Sequence, residues 1–194
     1  WSSRLHRSGG GKVFPFRFGP AAREAALAVR DALQAEIPHI TKPEFEGVAR
    51  IIGVLVMKDG TVYVAFSGVP ETLRAVIGGA EAGLEARLNA AGGRRFRVLP
   101  ADTPVPEGLE RLPNSQEHFA DNKFCAEKKL FAILRENPAL RGEVSQWAVL
   151  WRGDPKRNSY GTRQFPAFML PCPHCVHNAQ VMLGGTPVPA ARHD

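Results

Sequence analysis

The sequence predicts an α/β fold in which helices pack on a mixed β-sheet, and three features carry that prediction. Residues 48–57 are β-branched and almost wholly apolar, and residues 61–67 repeat that character after Lys58-Asp59-Gly60. Residues 20–36 are rich in Ala and Leu and are bracketed by Pro20 and Pro38. Beyond them, apolar strand-like runs alternate with helix-like ones.

In chain order, the first candidate element is 13–18, where apolar residues alternate around Pro15, as in a short edge strand. Pro20 has the backbone angle of a first helical turn and Pro38 stops the helix, so 20–36 is predicted helical. Asp59-Gly60 supplies the turn that joins 48–57 and 61–67 as a β-hairpin. The first of these strands lacks polar alternation, which predicts burial on both faces. Residues 70–91 read as helix broken at Gly78-Gly79 and Gly83. Residues 94–99 (Arg-Arg-Phe-Arg-Val-Leu) read as a strand with basic side chains on one side. A Pro-rich loop, 100–113, precedes a helix predicted over 122–134 and ended near Asn137-Pro138. An apolar strand is predicted at 144–151, then a polar loop at 152–164 and an apolar run at 165–170. Pro171 opens a last predicted helix, to about residue 183. No internal repeat and no coiled-coil pattern is visible.

The chain of 194 residues suits one domain. We divide it into a linker-like tail at 1–12, rich in Ser, Gly and Arg, and a single domain at 13–194 with its core at about 48–183. No apolar run is long enough to span a bilayer, and no signal-peptide pattern opens the chain. It begins at Trp1, as a module cut from a longer polypeptide would. The net charge of +6 and the pI of about 9.6 favour polyanionic partners. The three cysteines are an odd number, which argues against a disulfide framework.

Two short pieces carry the chemistry: Cys125-Ala126-Glu127-Lys128 and Pro171-Cys172-Pro173-His174-Cys175, each at a predicted helix start. Helix N-termini favour thiolates through the macrodipole and the unused N–H groups. Cys172 and Cys175 are spaced to grip one metal ion from a first helical turn. Cys125 would be the third ligand, leaving a fourth tetrahedral position open, as in catalytic zinc sites. Glu127 would face the same pocket as a general acid and base. A structural zinc site, completed by His174 or His177, and plain buried thiols are the alternatives. Lys128 is the candidate cation to offset the negative charge of three thiolates on Zn2+.

With these motifs the sequence resembles the cytidine deaminase-like superfamily, and in character bacterial polymorphic-toxin deaminases. The Cys-Ala-Glu piece resembles the first motif of free cytidine deaminases, and the Pro-Cys-x-x-Cys piece is similar across the superfamily. The resemblance implies a three-layer α/β/α cytidine deaminase-like fold with a mixed sheet. It implies Zn2+ on Cys125, Cys172 and Cys175, with Glu127 moving protons. The Ala126 N–H would bind the base's carbonyl oxygen, and Phe66 and Ser67 would line the pocket.

The expected reaction is hydrolysis of cytosine to uracil in DNA or RNA, with single-stranded DNA the first choice and duplex DNA or RNA the others. Adenine as the target base remains open. Arg152, Lys156, Arg157, Tyr160 and Arg163, in the loop before the second motif, are the candidate nucleic-acid contacts. Arg94, Arg95 and Arg97 form a second basic stripe. A toxin domain implies delivery to a target-cell cytoplasm and an immunity protein as partner. Free cytidine is the alternative substrate, yet the family's ribose-binding Asn-x-Glu-Asn would fall at Phe66-Ser67-Gly68-Val69-Pro70, which has neither its carboxylate nor its amides. A non-catalytic binding module is the third reading, and the intact Glu127 speaks against it.

Overall fold

Asp59 and Gly60 reverse the chain as predicted. Gly60 takes the left-handed conformation at φ 87°, and the Asp59 carboxylate accepts a hydrogen bond from the Thr61 N–H at 2.9 Å. The strands on either side are β1 (Ile51–Met57) and β2 (Thr61–Phe66), antiparallel, with Val54 opposite Val64. The computed structural model describes residues 19–104, 124–157 and 167–169, with Cys175 and Ala179. The strand expected at 13–18 lies outside them.

Helix α1 (Pro20–Glu36) has the predicted bounds, with proline in its first turn. Two 3-10 turns, Pro38–Thr41 and Pro43–Phe45, lead from it to β1. The predicted 70–91 helix is two helices, α2 (Pro70–Ile77) and α3 (Glu81–Ala90), because Gly78 ends the first and Gly79 turns at φ 83°. Strand β3 (Arg95–Val98) follows, then α4 (Ala126–Glu136) and β4 (Val144–Trp151).

The sheet order is β3-β2-β1-β4. β4 is antiparallel to β1, while β3 runs parallel to β2, so the sheet is mixed. Beyond β4, Phe168 bridges Leu150 in antiparallel sense. The Trp151 N–H donates to the Ala167 carbonyl at 2.8 Å, and the Met169 N–H to that of Val149 at 2.9 Å. Residues 167–169 thus lie along the sheet edge.

Alternation along the strands sorts the core into two clusters. Ile52, Val54 and Val56 of β1 and Val62, Val64 and Phe66 of β2 pack with Ala25, Val29 and Leu33 of α1, Leu73 of α2 and Leu84 of α3. Leu55, Met57 and Ala65 pack on the other face with Ala126, Leu130 and Leu134 of α4, Trp147, Val149, Cys175 and Ala179. Helices therefore cover both faces of the sheet, an arrangement compatible with an α/β/α sandwich. It also explains the apolar β1, which is buried from Ile52 to Met57. Among the described residues, no helix is long and apolar enough to cross a membrane.

Candidate metal centre

Cys125 is the N-cap of α4, in extended conformation, and Ala126 and Glu127 open the helix. Glycine at position 53 lets that turn come close to the sheet. A Cβ on Gly53 would lie 3.0 Å from the Ala126 Cβ and 3.2 Å from Leu130 Cδ1. Ala126 is fully buried there, and its N–H is one of the donors that a helix start leaves unused.

Cys175, of the second motif, reaches the same place. Cys175 and Ala179 are helical residues one turn apart, both buried against the α4 side. The ligand atoms of Cys125, Glu127 and Cys175 all lie within 4.8 Å of one another. These three residues lie close enough to hold a metal ion. Cys172, Tyr160 and Arg163 lie outside the described residues.

The donor set fits a cation. Glu127 is 5% exposed and Cys175 is fully buried. Cys125 is partly buried, and the three groups, anionic when deprotonated, repel one another unless protons or a positive ion offset their charge. Thiolate sulfur and carboxylate oxygen are both ordinary zinc donors, and two thiolates on one tetrahedral zinc sit about 3.8 Å apart, given Zn–S bonds of ~2.3 Å. The spacing here accommodates that.

Both lysines that follow Glu127 are buried, Lys128 at 2% exposure and Lys129 at 1%. Lys129, four residues after Cys125, interacts electrostatically with the thiol. Its Nζ donates to the carbonyl of Phe66 at 2.8 Å and to that of Gly68 at 3.1 Å. Burial pushes the Lys129 amine down to about 8, while Cys125 pulls it back up. Residues four apart share a helix face, and that spacing was the available signal in the sequence.

Two expectations require correction. Phe66 does not present its ring to this site. It follows Val62 and Val64 onto the opposite face of the sheet and packs in the α1 cluster, so it contributes its carbonyl oxygen to Lys129 instead. Ala65 is the β2 residue that faces α4. Arg152 does not reach out to solvent phosphates. Its guanidinium donates to the carbonyls of Ile40, Phe45, Val48 and Ala49 at 2.7–3.2 Å. It fastens the connection between α1 and β1, and burial lowers its pKa.

Ser67 lies beside the site but has a structural task. Its hydroxyl accepts from the Ile51 N–H at 2.9 Å, and its own N–H donates to the Ile51 carbonyl at 2.9 Å, which locks the open end of the hairpin. The next residue, Gly68, donates its N–H to the Phe124 carbonyl at 3.0 Å. The exit of β2 and the entry to α4 are thereby bound together. Lys156 is exposed in the 3-10 turn Pro155–Arg157, which also contains Arg157.

Compared with family models, curated proteins and solved structures, this chain matches none of them.

Proposed function

We infer that the protein is a zinc-dependent hydrolytic deaminase that converts cytosine to uracil in nucleic acid, and a bacterial toxin or effector domain. The observation that carries this reading is the convergence of Cys125, Glu127 and Cys175 within 4.8 Å at the first turn of α4. Cys172, in the Pro-Cys-x-x-Cys piece, completes the thiolate set in this reading, and Glu127 is left to move protons.

Zinc, when bound, supplies a water molecule acidified to a pKa of roughly 7. The remaining steps belong to the chain. The Glu127 carboxylate accepts a proton from the attacking water and passes it to N3 of cytosine as the new C4–O bond forms. It then carries the second water proton to the exocyclic amino group, and the C4–N bond breaks. Cytosine and water become uracil and ammonia. The buried wall of Ala65, Ala126 and Leu130 excludes competing water, and the Ala126 N–H is the donor for the base's O2. Lys129 offsets thiolate charge and holds the β2 exit against α4.

The choice of polymer over free nucleoside rests on the basic charge and on the Phe66-Ser67-Gly68 exit. There Ser67 is occupied by Ile51, and no side-chain amide or carboxylate is available for a ribose. The test is to incubate the zinc-loaded protein and its Glu127→Ala variant with single-stranded DNA, duplex DNA, RNA and cytidine, and to quantify uracil or uridine. Uracil in at least one polymer, abolished in the variant, is expected. Product from cytidine alone would exclude a polymer substrate, and no product from any of them would exclude the enzyme.

A further inference from the structure

On the α4 side of the sheet, β3 forms the outer edge and carries a charge pattern that the candidate metal centre does not use. The register pairs Thr61 with Arg95 and Tyr63 with Arg97. Phe96 points into the α1 cluster, so Arg95 and Arg97 stand on the opposite face, the face of Tyr63, Ala65 and α4. Both arginines are exposed, and Tyr63 is half-buried between them and the helix.

Other arginines among the described residues contrast with this pair. Arg30, Arg50, Arg74, Arg87 and Arg94 are ion-paired, with Asp31, Glu46, Asp102, Glu36 and Glu24. That charge balance lies on the helices and loops of the other layer. Among the described residues, Arg97 enters no ion pair, and Arg95 interacts electrostatically with the exposed Asp59. The strand backbone is not available to another strand. The Phe96 N–H donates to Asn89 Oδ1 at 2.8 Å, and the Val98 N–H donates to Glu85 Oε2 at 2.9 Å. This edge therefore offers side-chain charge rather than strand pairing.

The ledge also leads to the candidate site. Tyr63 is two residues from Ala65. Ala65 pairs with Gly53, the residue against which Ala126 closes. Exposed guanidinium groups in a row beside a half-buried aromatic ring are the elements that bind a single strand: charge for phosphates and a ring face for a base.

The geometry points to Arg95, Arg97 and Tyr63 as the track that holds the backbone of a single-stranded nucleic acid as it approaches Glu127. This rests on the deaminase reading for its direction, but the binding itself can be measured without turnover. DNA and RNA share the phosphate chemistry, and the experiment separates them.

Fluorescein-labelled single-stranded DNA and RNA of one sequence are titrated by anisotropy over a range of salt concentrations. The proteins are wild type, Arg95→Ala/Arg97→Ala, Arg95→Lys/Arg97→Lys, and Arg30→Ala/Arg74→Ala. Losing two phosphate contacts should weaken binding and reduce the slope of log K against log salt by about 1.4, at ~0.7 per contact. The lysine pair and the opposite-layer pair should keep the wild-type slope. The inference is overturned if wild type binds neither strand, if the Arg95→Ala/Arg97→Ala protein keeps the wild-type slope, or if either control loses as much as it does. Uracil formation at an unchanged rate by the Arg95→Ala/Arg97→Ala protein would also overturn it, and would leave the deaminase reading standing. Slope loss without uracil from any protein would do the reverse.

Discussion

The Lys129 ammonium donates to the Phe66 carbonyl at 2.8 Å, which ties the helix of Cys125 and Glu127 to the end of β2. The same group reaches the Gly68 carbonyl and lies within the field of the Cys125 thiol. One buried cation thus both bonds to the β2 exit and acts on the Cys125 thiol. Lys129→Met preserves the bulk but removes the charge and both donors. It should lower zinc affinity by about 10- to 100-fold, the range seen when a group supporting a metal ligand is lost. A chelator competition titration measures this, and unchanged affinity would remove Lys129 from the account.

Gly53 sets the distance between α4 and the sheet. With its Cβ position 3.0 Å from the Ala126 Cβ, a larger side chain must push the first turn outward. Gly53→Val should cost about 1–3 kcal/mol through overpacking. Urea denaturation gives the stability. A variant as stable as wild type would show that Gly53 does not limit the approach of α4.

Arg152 is expected to matter for folding and not for nucleic-acid binding. Four carbonyls between Ile40 and Ala49 accept from its guanidinium. Arg152→Met leaves them without that donor, at a cost of about 2 kcal/mol or more. Its affinity for single-stranded DNA, measured below the melting temperature, should equal that of wild type. Full stability with lost affinity would restore Arg152 as a substrate contact.

Asp59 supplies a pH signature. The Thr61 N–H holds its carboxyl below the ordinary 3.8, with a smaller contribution from Arg95. A carboxyl lowered in the folded state stabilises the protein above its unfolded pKa, and that contribution fades as pH falls through the lower folded value. The melting temperature of Asp59→Ala should therefore lie below wild type at neutral pH, with the gap closing under acid. A gap that persists once the carboxyl is protonated would mean that turn geometry alone, rather than charge, is at work.

The sequence was most readable where backbone chemistry marks a boundary. Pro20 and Pro38 bracket α1, Asp59-Gly60 marks the hairpin, and Gly78-Gly79 separates α2 from α3. The strands at 51–57 and 144–151 followed from their apolar runs. The first turn of α4 was legible because a cysteine, a carboxylate and a helix start coincide. Side-chain direction was harder. Phe66 and Ala65 are neighbours on opposite faces, and which face serves the site depends on where α4 docks. Lys128 and Lys129 differ by one residue, about 100° around the helix, so which of them reaches the Phe66 carbonyl depends on where the β2 exit lies. Arg152 looks solvated in a polar loop because its carbonyl partners lie more than a hundred residues away in sequence. The parallel pairing of β3 has no local signal at all.

The central claim is that the centre holds zinc and that Glu127 moves protons without coordinating it. The most direct measurement is the zinc content, by elemental analysis, of wild type and of Glu127→Ala purified side by side. The account predicts one zinc per chain in both. Zinc lost with the glutamate would make Glu127 a ligand, and a wild type without zinc would contradict the metal centre itself.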